Sequence, residues 1–156
     1  MKLSTGAKPP PAGIREFQGQ YRWLSNFWSA LVVYDGDEYP TVEHAYQSAK
    51  VPPHKRHPFR TPGVTAGQAK KLGRQLAFCE DWDDVKDEIM EDLVRQKFTN
   101  HPGLRQKLLE TGNQLIEEGN PWGDRYWGAC RGSGQNRLGK LIMKIRAELQ
   151  AALEST

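Results

Sequence analysis

A chain of 156 residues is long enough for one domain that removes on the order of 70% of its unfolded surface from water. Its hydrophobic fraction is a modest 37%, but five Trp, five Tyr and five Phe supply large side chains for a core. The net charge of +3, from basic and acidic residues mixed along the chain, excludes a nucleic-acid binder recognisable by charge alone, and two cysteines, Cys79 and Cys130, exclude a disulfide scaffold.

Residues 1–13 are rich in Pro and Gly and predict a disordered tail, with one domain over 14–153. Met1-Lys2-Leu3-Ser4 leads into polar sequence, not an apolar signal segment, and no stretch approaches the roughly 20 apolar residues of a membrane span. The expectation is a cytoplasmic protein with reduced thiols and no membrane partner. Ile14–Phe17 and Leu31–Tyr34 predict short strands. Asp35-Gly36 predicts a hairpin turn into Glu38-Tyr39, since Gly tolerates positive φ. Between the strands lies the aromatic-rich loop Gly19–Trp28, which contains Asn26.

A helix then begins after Pro40. The Thr41 hydroxyl can cap it, and Val42, Ala45, Tyr46 and Ala49 form an apolar stripe. Glu43, Gln47 and Lys50 form a second stripe within roughly 60° of one another, beside the apolar face. His44 points elsewhere and reads as structural. A Pro/His/Lys loop follows over Val51–Gly63, and its Lys55, Arg56, His57 and Arg60 could touch phosphate. Thr65-Ala-Gly-Gln68 is a capping box for a second helix with Ala66, Ala69, Leu72 and Leu76 on one face. Gly73 inside that helix costs about 1 kcal/mol against Ala, which implies a close approach of backbone or ligand. Asp81 predicts the cap of a third helix over 82–99. Asn100 and Pro102 predict the start of a fourth, closed by Thr111-Gly112. Gln114–Glu117 predicts a short strand, 118–135 a long loop of the kind that carries function, and 136–153 a last helix with Leu138, Leu141, Ile142, Ile145 and Leu149 at helical spacing.

The chemistry-bearing candidates are few. Glu43 is either a solvated first-turn carboxylate or a buried one tuned by Lys50. Asp124, in Asn120–Gly128, is either a turn-forming Asp or a second carboxylate opposite Glu43, and two carboxylates suffice to hydrolyse a glycosidic bond. The Gly-rich segment Gly128–Asn136 running into the last helix suggests a phosphate cradle, or a flexible loop capped by Asn136. Trp82, Trp122 and Trp127 border polar loops, so one of them could stack on a purine or pyrimidine. Cys130 has no base adjacent in sequence and reads as a bystander.

Together these residues resemble the NADAR family, also called YbiA-like. The matching blocks run in order over about residues 14–150. They are Phe17 with Trp23–Phe27; Tyr39–Lys50; Ala69–Arg74 with Trp82 and Lys97-Phe98; and Leu108–Gly112 through Asp124, Trp127-Gly128, Gly134–Asn136, Leu138-Gly139 and Met143–Arg146. The resemblance implies an α+β fold, a helix-rich single domain with a small antiparallel sheet. It implies an enzyme that hydrolyses an N-glycosidic bond, with no metal and no redox cofactor. Its substrate would be a ribosylated nucleobase or nucleotide: a phosphorylated ribosylamino-pyrimidine intermediate of riboflavin synthesis, or ADP-ribose on guanine, including ADP-ribosylated nucleic acid. By resemblance the catalytic positions fall on Glu43, Asp124 and Lys50. The substrate-binding positions fall on Asn26, Gln47, Arg74, Trp82, Trp127, Gly128 and Asn136. A non-catalytic module that binds ADP-ribose or a nucleotide is the alternative. Where the family commonly has Trp-Gly-x-Gly, this chain has Cys130 at the last position, which would reshape a phosphate or ribose pocket.

Overall fold

The computed structural model describes residues 13–155. The predicted tail over 1–12 lies outside the described residues, and Gly13, assigned to that tail, instead opens a strand. The strands are β1 (Gly13–Glu16), β2 (Val32–Tyr34), β3 (Asp37–Tyr39), β4 (Leu115–Asn120) and β5 (Ala129–Cys130). The helices are α1 (Val42–Ala49), α2 (Ala66–Gln75), α3 (Trp82–Thr99), α4 (Pro102–Glu110) and α5 (Arg137–Glu154). The antiparallel sheet is the β2–β3 hairpin, turned by Asp35 and Gly36 at positive φ. A second sheet, absent from the sequence reading, is parallel, in the order β1-β4-β5. Its β1–β4 pair joins residues about a hundred positions apart in sequence, and local patterning carries no signal for such a pairing. Among the described residues no helix is long and apolar enough to cross a membrane.

Helix α1 is the centre of the molecule. Thr41 caps it through His44 N, 3.1 Å from its hydroxyl, and all eight helical residues are buried. The polar stripe is therefore walled in and not merely adjacent to the core. The His44 ring is tied at both nitrogens: Nε2 donates to Val64 O at 2.7 Å and Nδ1 lies 2.7 Å from the Thr41 hydroxyl. That ring is structural. Helix α2 carries the predicted capping box and packs on α1 through the small residues Ala66, Ala69 and Gly73. Helix α5 lies as closely on β4, because a Cβ on Gly139 would stand 2.2 Å from Ile116 O.

Two expected caps are not formed. The Asp81 side chain makes no capping bond at α3, where Asp83 and Asp84 instead face the helix dipole from the first turn. Asn100 closes α3, so His101 takes the N-cap position of α4. The basic loop also largely serves the fold. Buried Arg56 donates to Ser48 O, Val51 O and Asp35, and Arg60 pairs with Asp37 and donates to the Tyr39 hydroxyl.

Lys97 is fully buried on α3, and its ammonium donates to Ser25 O at 2.7 Å. Burial pushes its pKa down to about 7. The unfolded lysine keeps its proton to about pH 10, so folding gains stability as pH rises from about 7 toward that range. The stability of Lys97→Met minus that of the parent chain, read from urea midpoints, should therefore fall over this interval. A difference that stays constant with pH contradicts the buried-ammonium account.

Candidate active site

A cavity of about 600 Å³ opens beside α1. Helix α1 supplies Glu43, Tyr46 and Gln47 to its wall and its C-cap supplies Lys50, while α2 supplies Gly67, Lys70 and Arg74. Spacings of three and four residues put the α2 group on one helix face, so two basic side chains stand across from the acidic edge of α1. The wall also includes Ser25–Phe27 and Glu118, Trp122, Asp124 and Trp127 of the β4–β5 region.

Glu43 is held by its own helix. Gln47 Nε2 donates to Glu43 Oε2 at 2.5 Å, one turn on. Gln47 Oε1 has no hydrogen-bond partner and sits where a Cβ on Gly73 would be, 1.9 Å from that point. The glycine thus makes room for the amide. Burial pushes the Glu43 carboxyl up, against the Gln47 bond and the ammonium groups of Lys70 and Lys50. Burial pushes Lys50 down, with Glu43 opposing and Arg74 and Lys70 assisting. The acid and the amine therefore each hold the other toward its charged form.

The second acidic wall is built around Asn120. Its Nδ2 donates to Glu118 Oε1 at 3.0 Å and to Asp124 O at 2.9 Å, while Oδ1 accepts from Asp124 N at 3.0 Å. Asp124 Oδ1 accepts from Tyr126 N and Trp127 N, both at 3.0 Å. Asp124 therefore builds its own turn and also lines the cavity. Glu118 is pushed up to about 7, first by burial and further by the Asp124 and Glu43 carboxylates, against the Asn120 bond and Lys70. Three carboxylates and three cations thus meet at one cavity. Among the described residues no group of three His, Cys, Asp or Glu side chains could hold a metal ion.

Of the residues singled out from sequence, Glu43, Gln47, Lys50, Asn26, Arg74, Asp124 and Trp127 all line the cavity. Trp82, Gly128 and Asn136 do not. Trp82 is buried against Tyr46, with ring centroids 5.0 Å apart. Gly128 leaves space behind the wall, since its Cβ would stand 1.9 Å from Glu118 Oε1. Asn136, at φ +48°, pins β4 by accepting from Glu118 N and donating to Ile116 O, each at 3.0 Å. The predicted phosphate cradle is absent for a specific reason. The amides of Ser133, Gln135, Asn136, Arg137 and Leu138 are taken by the carbonyls of Cys130, Arg125, Gly128, Tyr126 and Trp127, so the start of α5 has none of these to offer an anion. Cys130 lies buried in β5 and does not reach the cavity, so it cannot narrow it directly.

The model of the NADAR domain matches residues 14–150. The chain belongs to the NADAR family. It is 35% identical over 144 residues to an N-glycosidase of Nostoc punctiforme, covering 87% of this chain and 90% of that protein. It is 35% identical to the N-glycosidase YbiA of Escherichia coli, covering 83% of this chain and 82% of that one. A riboflavin biosynthesis protein of Vibrio vulnificus is 33% identical across 90% of this chain, which spans only 39% of that longer protein. The NMR structure of E. coli YbiA superposes with a TM-score of 0.80 at 30% identity, over 95% of this chain and 91% of that one.

The NADAR match spans every wall of the cavity, yet sequence reasoning passed over two of its charged residues, Glu118 and Lys70. Glu118 was legible in principle, because it lies two residues beyond buried Ile116 on the same face of a strand. A strand ending at Glu117 leaves it in the loop. Lys70 shares the α2 face with Arg74, but a lysine four residues from an arginine on a helix ordinarily reads as a solvated edge.

The raised pKa of Glu118 can be tested on stability. The unfolded carboxyl loses its proton near 4.5 and the folded one near 7. Its contribution is therefore fully present below the first value and lost as pH rises through the second. Relative to Glu118→Gln, the parent chain should lose thermal stability steadily between those values and level off above them. A difference independent of pH, or one that grows in the parent's favour, contradicts this environment for Glu118.

Proposed function

We propose that this NADAR protein is an N-glycosidase that hydrolyses the bond between a ribose and a base, on a substrate that carries phosphate. The observation that carries the reading is the meeting of Glu43, Glu118 and Asp124 with Lys50, Lys70 and Arg74 at one cavity. The N-glycosidase names of relatives at 35% identity support it.

The roles follow from the environments. Glu118, with a pKa of about 7, keeps a proton to give near neutrality. As the C1′–N bond breaks, its electron pair passes to the base nitrogen, which takes that proton. Burial raises the proton affinity of Glu43, opposed by Gln47, Lys70 and Lys50, so that this carboxylate, once ionised, is a strong base that accepts a proton from water as the water oxygen bonds to C1′. The sum is one water consumed, with one free base and one free sugar formed. Asp124, its Oδ1 fixed by two amides, adds negative charge beside the oxocarbenium-like centre. The basic side chains of α2 and Lys50 hold the substrate's phosphate as point charges or forks.

The preferred substrate is a phosphorylated ribosylamino-pyrimidine, a choice favoured by the Vibrio relative's name. ADP-ribose on guanine is the second substrate to assay. Phosphorylated substrates do not cross membranes unaided, so the reading puts the activity in the cytoplasm. The test is release of free base and free sugar from each substrate, followed by chromatography. Glu43→Gln and Glu118→Gln should each lower the rate by on the order of 10²–10⁴, the usual worth of an acid or base. The parent rate should fall as pH rises through about 7, where Glu118 loses its proton. Full activity in both variants overturns the mechanism, and saturable binding with the ligand recovered intact would mark a binding module instead.

A further inference from the structure

Of the three rings that could stack on the base, Trp82 and Trp127 are already occupied. Trp82 is buried, and Trp127 is packed edge-on against Tyr46 and Tyr126, at centroid distances of 5.8 Å and 5.0 Å, with Nε1 donating to the Tyr46 hydroxyl. Trp23 is core, and Trp28 does not reach the cavity. Trp122 differs from all of these. It lines the cavity while the residue stays 50% exposed, and Phe27, also on the wall, is 44% exposed. The Lys70 ammonium lies 5.1 Å from the Trp122 ring centroid and 5.8 Å from that of Phe27, a cation against two aromatic faces.

Exposure of so large a ring is not the result of a loose loop. Trp122 stands between Pro121, whose ring fixes its own φ, and Gly123 at φ +89°. The turn is closed by the two hydrogen bonds between Asn120 and Asp124 described above. The same Asn120 holds Glu118, so the indole is fixed relative to the acid that protonates the leaving base. Phe27 is steadied by its amide donating to Ser25 Oγ at 3.1 Å.

We infer that Trp122 and Phe27 form an aromatic rim that receives the planar leaving base, with Trp122 as the stacking face and Lys70 moving from the rings onto the substrate's phosphate. This rests on the N-glycosidase reading of the cavity and adds to it the residues that set base affinity. A stacked base at the rim has its sugar directed inward toward Glu43 and Glu118. After cleavage it departs from the open side. Stacking tolerates purine and pyrimidine alike, because each presents a π-face.

The test is calorimetry on the whole chain with 5′-GMP, 5′-CMP and ribose 5-phosphate as probes, which needs no turnover. Trp122→Ala should weaken both nucleotides by roughly 5- to 150-fold, the range that base–aromatic stacking gives, and leave ribose 5-phosphate unchanged. Trp122→Phe should recover most of the nucleotide affinity. Equal nucleotide binding by Trp122→Ala and the parent overturns the inference. So does a parallel loss of ribose 5-phosphate, or failure of the parent to bind either nucleotide. If the nucleotide results hold while no substrate is cleaved, the rim stands and the hydrolytic reading falls.

Discussion

The structure depends on the burial of one carboxylate. Glu43 is enclosed on a helix whose every residue is inside, and a buried charge is tolerated only when it is paired and hydrogen-bonded. Gln47 supplies the hydrogen bond, and Lys50 and Lys70 supply opposite charge. Each of these in turn constrains a neighbour. The Gln47 amide needs the space that Gly73 leaves, which brings α2 close to α1 and so carries Lys70 and Arg74 to the cavity. An alanine at Gly73 would improve helix propensity by about 1 kcal/mol and still collide with the amide that holds Glu43. The glycine that weakens α2 locally is what lets the acidic and basic walls face one another.

The opposite wall rests on a second amide. Asn120 joins Glu118, Asp124 and the turn that presents Trp122, and Gly128 leaves the space behind Glu118. Asn136 then fastens β4 to the start of α5, using the polar groups that would otherwise face an anion. Both acidic walls are therefore held by side-chain amides packed against glycines. Neutral amides can position carboxylates without neutralising them, which leaves their proton affinity to be set by burial and by the surrounding ammonium groups.

Much of this was legible in the sequence because the signals were local. The Thr41 cap, the Thr65–Gln68 capping box, the Asp35-Gly36 turn and the stripe Glu43–Gln47–Lys50 each depend on residues within about two helical turns or one hairpin, and each is formed as expected. The family blocks brought Asp124 to the same site, which spacing alone could not do. What escaped was non-local. The parallel β1–β4 pairing has no sequence pattern of its own, so local spacing ends β4 at Glu117 and leaves Glu118 in the following loop. Asn136 and Trp82 look the same in a motif whether they face a ligand or a neighbouring strand or helix, and only packing separates the two. The Gly-rich approach to α5 misled for a similar reason. Its amides are spent on backbone carbonyls of the preceding turn, which composition cannot reveal.

The central claim is that Glu43 and Glu118 address one sugar from two walls, with the phosphate on α2 and Lys50. A crystal structure of the protein soaked with ribose 5-phosphate tests it most directly. The account predicts the anomeric carbon in the cavity between the two carboxyl groups, with the phosphate among Lys50, Lys70 and Arg74. A phosphate seated instead at Gly132–Asn136, or a sugar that meets only one of the two acids, would contradict it.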